Sequence, residues 1–105
     1  MTIDELMEFS VQERKRLRKV HPIKDIEKEI FARMTKIMEE LGELCEAVLS
    51  FYSLQRKDKE KKSKEDVEKE IADTVIGLFI LAHQMDIDIK KALKKKVDII
   101  KARKY

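Results

Sequence analysis

The stretch K-E-D-V-E-K-E-I-A-D-T-V-I-G-L-F-I-L-A-H-Q-M, residues 64–85, decides the fold. Its apolar side chains, from Val67 through Ile71, Val75, Leu78 and Phe79 to Met85, recur at helical spacing and cover nearly the whole circumference. Such a helix must be buried on most sides. Ser63 with Asp66 three residues on supplies a capping box at its start, and Asp86 and Asp88 supply turn and N-cap chemistry after its end. The last helix follows from Ile89 to about residue 103, marked by Leu93, Ile99 and Ile100.

Upstream, R-K-D-K-E-K-K-S-K-E-D (56–66) has no apolar residue and reads as a solvated loop. Before it, Ile23, Ile26, Ile30, Met34, Ile37, Leu41, Leu44, Val48 and Tyr52 keep one helical period, a helix of roughly thirty residues. His21-Pro22 separates it from a first helix near 3–19, which opens on the capping box Thr2 to Glu5 and runs into the basic stretch Arg14 to Lys19. With only 2 Gly and 1 Pro in 105 residues, the chain lacks the turn residues that hairpins or barrels need. The expectation is one all-α domain over residues 1–105: an antiparallel bundle of about four helices, too small to enclose its own apolar helix and completed by homo-oligomerisation, as a dimer or tetramer.

One cysteine, Cys45, and the lack of a basic-then-apolar leader after Met1 point to a reducing, cytoplasmic setting. No apolar run is long enough to span a membrane. The net charge of +3 conceals an uneven distribution, because residues 90–105 carry eight Lys/Arg and one Asp. The body is acidic and the tail basic.

Two histidines and one cysteine cannot build a zinc site, and Gly42 and Gly77 stand alone, so no glycine-rich loop cradles phosphate. Carboxylates remain. Glu40 and Glu43 flank the apolar stripe of their helix, and Glu70 and Asp73 form a narrow acidic strip, with Gly77 on the same arc, on the greasiest helix. Spacing i,i+3 puts each pair on one helix face. If the two helices pair antiparallel, four acids converge. Two unit charges ~5 Å apart at an effective dielectric of ~20 repel by about 3 kcal/mol. A divalent cation relieves this, and an all-oxygen donor set favours Mg²⁺ or Mn²⁺ over zinc. Protonation of some of the acids or salt bridges from Lys/Arg would relieve it too.

These residues resemble the MazG-like all-α nucleoside triphosphate pyrophosphohydrolases, whose signature is E-E-x-x-E, a spacer, then E-x-x-D. Here the signature reads Glu39-Glu40-Leu-Gly-Glu43, 26 intervening residues, and Glu70-Ile-Ala-Asp73. The likeness covers about residues 26–104 and takes in Lys36, the phrase M-D-I-D-I-K-K-A-L and the basic K-A-R-K-Y end. It departs at Ile100, where many relatives carry Asn, and near Gly77, where some carry an aromatic.

The resemblance implies Mg²⁺-dependent hydrolysis of a nucleoside triphosphate between its α and β phosphates, as nucleotide-pool housekeeping. It assigns Glu40, Glu43, Glu70 and Asp73 to the metal, Glu39 to the attacking water, and Lys36, Lys96 and Arg103 to the substrate. Two rival readings share the same residues. One is a non-enzymatic helical interaction module; the other is a weak nucleic-acid binder acting through the basic C-terminal helix.

Overall fold

The computed structural model describes residues 1–54 and 60–105 as four helices, with no strand among the described residues. They are α1 (Ile3–Val20), α2 (Ile26–Phe51), α3 (Lys64–Gln84) and α4 (Ile89–Lys101). The charged loop expected over 56–66 lies partly outside the described residues, and its last three positions already belong to α3.

Local chemistry sets these boundaries. Thr2 and Ser63 both form full capping boxes, with Glu5 and Asp66 respectively. Asp88 caps α4 by accepting from the Lys91 N–H at 3.0 Å. The period of α2 suggests a start at Ile23, but the helix begins at Ile26 because Asp25 accepts from the Glu27 N–H at 2.9 Å and leaves Pro22 in the linker. Without glycine at their ends, α2 and α3 stop on Ser53 (φ 58°) and Asp86 (φ 55°), each in the left-handed region. Both ends then close the same way: Leu54 and Ile87 donate back to the carbonyls of Leu49 and Ala82, each at 2.8 Å.

α2 and α3 pair antiparallel. Near their joined ends the buried Ser50 hydroxyl accepts from the Lys62 N–H at 2.7 Å and donates to the Glu60 carbonyl. Farther along, Ile37 and Glu40 lie against Gly77. α1 packs on α3, and α4 touches α1 and α3, its first turn tied down by Lys90 to Asp4 at 3.0 Å. α3 is thus central, and the buried apolar core of Ile37, Ala47, Phe79, Ile80 and Ala82 belongs to the α2/α3 pair.

Coverage of α3 is incomplete. Ile71, Val75 and Leu78 are 48%, 40% and 46% exposed, and α2 shows a row of its own at Phe31, Met34, Met38, Leu41 and Cys45. Cys45 belongs to that exposed row, whereas His83 lines a small apolar cavity with Phe79 and Ile87. The radius of gyration, 16.6 Å, exceeds the ~13 Å of a compact chain of about 100 residues. No described helix is long and apolar enough to cross a membrane.

Candidate functional site

The antiparallel register places the two acidic pairs side by side across the α2/α3 interface. Glu40 and Asp73 line one cavity of about 490 Å³ with Gly77, and Glu43 lies close enough to Glu70 for a hydrogen bond that only a protonated acid can make. Burial raises the Glu40 carboxyl above its ordinary value; the charges of Asp73 and Glu43 push the same way, while Arg33 and Lys36 oppose them. The Glu70 carboxyl is raised by burial, then by the charges of Glu43 and Asp73 and the hydrogen bond with Glu43. Two oxygens, Glu40 Oε2 and Glu70 Oε2, are buried without a hydrogen-bond partner. A buried carboxylate oxygen left this way is costly unless something supplies positive charge.

In donor chemistry alone these acids match a hard divalent ion. Every donor is a carboxylate oxygen, two of the oxygens lack partners, and a glycine clears the space behind one of them. As the side chains stand, no group of three or more His, Cys, Asp or Glu among the described residues is arranged to hold an ion. The pairs abut without enclosing a common point.

Gly77 is what allows α2 so close. A Cβ there would stand 3.1 Å from Glu40 Oε2 and 3.2 Å from Ile37 Cγ1. Alanine in a helix interior gains about 0.8–1 kcal/mol over glycine, enough to offset modest crowding. Gly77→Ala is therefore expected to melt within a few degrees of the parent; if Glu40 is a ligand of the ion, Mn²⁺ should bind roughly 10-fold more weakly in a calorimetric titration, because Glu40 is displaced. Unchanged Mn²⁺ affinity would show that the Glu40 position is unimportant to the ion.

The other residues suggested by the sequence divide. Lys36 lines the same cavity as Glu40 and Asp73, and its ammonium is held above the ordinary lysine value by its hydrogen bond to Glu39, then by the charges of Glu39, Glu40 and Glu43. Glu39 is exposed and accepts from Lys36 Nζ at 3.2 Å; it is not among the cavity-lining residues. Lys96 on α4 and Arg103 just beyond it are exposed, and neither lines the cavity beside Glu40 and Asp73.

A second cavity of about 310 Å³ adjoins the first, sharing Leu17, His21, Arg33 and Lys36, and continues to Arg14, Arg18 and Gln84. Of these basic groups only Lys36 belongs to the site expected from the sequence; Arg14, Arg18, His21 and Arg33 do not. The available signal was spacing: Arg14 and Arg18 fall on one face of α1, with His21 just past its end, and Arg33 stands three residues before Lys36 and seven before Glu40. Arg14 is committed to Glu29, with Nη2 at 2.7 Å from Oε1 and Nε at 3.1 Å from Oε2.

A family model described as phosphoribosyl-ATP pyrophosphohydrolase matches residues 4–98. That match reaches back through α1, which the E-E-x-x-E/E-x-x-D resemblance leaves out, and it names a pyrophosphohydrolase family rather than the MazG-like one specifically. Comparison with curated proteins and with solved structures returns no match.

Proposed function

Since the chain belongs to the phosphoribosyl-ATP pyrophosphohydrolase family, we propose that it hydrolyses the α–β phosphoanhydride of phosphoribosyl-ATP, releasing pyrophosphate and the corresponding monophosphate. The observation that carries this reading is the meeting of Glu40, Glu43, Glu70 and Asp73 with two buried carboxylate oxygens left unpartnered. The family's description favours phosphoribosyl-ATP over the (d)NTP pool that the motif resemblance implies.

Glu40, Glu43, Glu70 and Asp73 would hold Mg²⁺, with Mn²⁺ a substitute. The ion, when bound, polarises the phosphoryl group and lowers the pKa of water. Lys36 lines the cavity of Glu40 and Asp73 and would neutralise phosphate oxygens beside them. Glu39, adjoining the acids and tethered by Lys36, is placed to orient water or accept its proton after release from that contact.

A second copy of the chain completes the assembly. The exposed apolar rows on α2 and α3 and the unpartnered Leu93, Val97 and Ile100 of α4 support this, as a chain with so few buried apolar side chains is marginal alone. Lys96 and Arg103 would reach phosphate only in such an assembly.

The test is pyrophosphate release from phosphoribosyl-ATP beside ATP and a dNTP panel, with Mg²⁺ and with a chelator. Metal-dependent release, preferring phosphoribosyl-ATP, is expected from a species whose mass in solution is that of a dimer or larger, and chelation should lower its melting temperature. Release from no substrate, with melting indifferent to Mg²⁺, would leave the helical interaction module as the better reading.

A further inference from the structure

The basic cavity bounded by Arg14, Arg18, His21 and Arg33 has no role in the four-carboxylate chemistry. Its lining holds four permanent cations, Arg14, Arg18, Arg33 and Lys36, against the single carboxylate of Glu29. Glu29 satisfies Arg14 through two hydrogen bonds, whereas Arg18 approaches it only to 3.7 Å. Arg33 Nε is buried with no hydrogen-bond partner, and so is Oε1 of Gln84 across the same cavity. The cavity therefore carries surplus positive charge, an unused guanidinium donor and a half-open concave wall. Those are the requirements for a phosphomonoester.

The cavity opens directly into the one that contains Glu40 and Asp73, with Leu17, Ile76 and Ile80 as apolar walls at the acidic end. Glu29, Arg33, Lys36 and Glu40 lie along one face of the unbroken α2, and seven residues at the helical rise separate Arg33 from Glu40 by ~10 Å. A triphosphate anchored at the acids would thus find a second anion-binding position about one nucleoside length away.

We propose that this basic cavity is a second phosphate subsite, holding the phosphate of the ribosyl group while the triphosphate lies at the acidic end. This rests on the reading of phosphoribosyl-ATP as substrate and deepens it: the subsite distinguishes a nucleotide with two phosphorylated ends from an ordinary nucleoside triphosphate. Arg33 and Arg18 are the specificity-determining donors. Lys36, shared by both cavities, serves either end.

Two measurements test it on the full chain. First, Arg18→Gln should raise KM for phosphoribosyl-ATP by roughly 10- to 100-fold, the value of a charge-assisted hydrogen bond to phosphate, with kcat little changed. The affinity for ATP, as substrate or competitive inhibitor, should stay within a few-fold, and Arg18→Lys should restore part of the loss. Second, ribose 5-phosphate titrated calorimetrically in the presence of chelator should bind the parent, and bind Arg18→Gln and Arg33→Gln at least roughly 10-fold more weakly.

Equal losses toward ATP and phosphoribosyl-ATP, or ribose 5-phosphate binding that is absent from the parent or indifferent to both substitutions, would overturn the subsite. Failure of the substrate reading looks different: no release from phosphoribosyl-ATP, with arginine-dependent ribose 5-phosphate binding retained. That result supports the subsite while removing the assigned reaction.

Discussion

Asp73→Asn and Glu43→Gln are each expected to reduce pyrophosphate release by at least roughly 100-fold while leaving the fold intact. Loss of a group that merely orients a metal ligand costs about 10- to 100-fold, so loss of a ligand, the role proposed for both residues, should cost no less. Both replacements keep the shape of the side chain and remove one negative charge from the acidic cluster. Glu70 is held above its ordinary value partly by the charges of Glu43 and Asp73, and Glu40 partly by Asp73 and Glu43. Removing one charge relieves that repulsion. The metal-free variants should therefore melt no lower than the parent, and Mg²⁺ should raise their melting temperature by less. An enzyme that kept its rate with either substitution would place the reaction elsewhere on the molecule. One that lost both rate and folding would show the acids to be structural.

The second large effect concerns stability. Glu29 is almost fully buried between α1 and α2, with 7% side-chain exposure against 15% for Arg14, and receives both of its hydrogen bonds from that arginine. Deleting one partner of a buried ion pair costs about 3–5 kcal/mol because the other charge is stranded. Residual exposure here reduces that, so Glu29→Ala should cost about 2–4 kcal/mol, or roughly 10 °C or more in melting temperature for a domain of this size. Arg14→Ala should cost less, since Arg18 remains near the acid.

The same contact sets an acid limit. The hydrogen bond from Arg14, together with the charges of Arg14, Arg18 and Arg33, holds the Glu29 carboxyl below its ordinary value against the opposing effect of burial. A depressed folded-state value means the contribution is present above the unfolded value near 4.5 and is lost as pH falls through the lower, folded one. Denaturant melts of the parent should show this loss on acidification, and melts of Glu29→Gln should lack that part of it. Parallel curves for the two proteins would assign the acid sensitivity to other groups.

Much of this architecture was legible because it is written in local chemistry. Thr2/Glu5 and Ser63/Asp66 are capping boxes in sequence and in space, and the i,i+3 acids of α2 and α3 meet because the helices are antiparallel in a register that also seats Gly77 under Glu40. What stayed hidden was tertiary. The basic run on α1 looks like a solvated helix end until the Arg14 side chain reaches across to Glu29 near the start of α2. The basic tail drew attention by its charge, yet α4 packs on α1 and α3, which leaves Lys96 exposed and outside the cavity-lining set. Helix ends on Ser53 and Asp86 carry no glycine to announce them.

One feature of α2 has a mechanical meaning. Glu29, Arg33, Lys36, Glu40 and Glu43 all ride on a single uninterrupted rod of 26 residues, so the gap between its cationic stretch and its anionic stretch cannot stretch or shrink as a hinged loop would allow. The rod behaves as a fixed gauge. Slipping one extra residue between Arg33 and Glu40 would swing one group by about 100° relative to the other, a twist the helix could absorb only by opening a π-bulge.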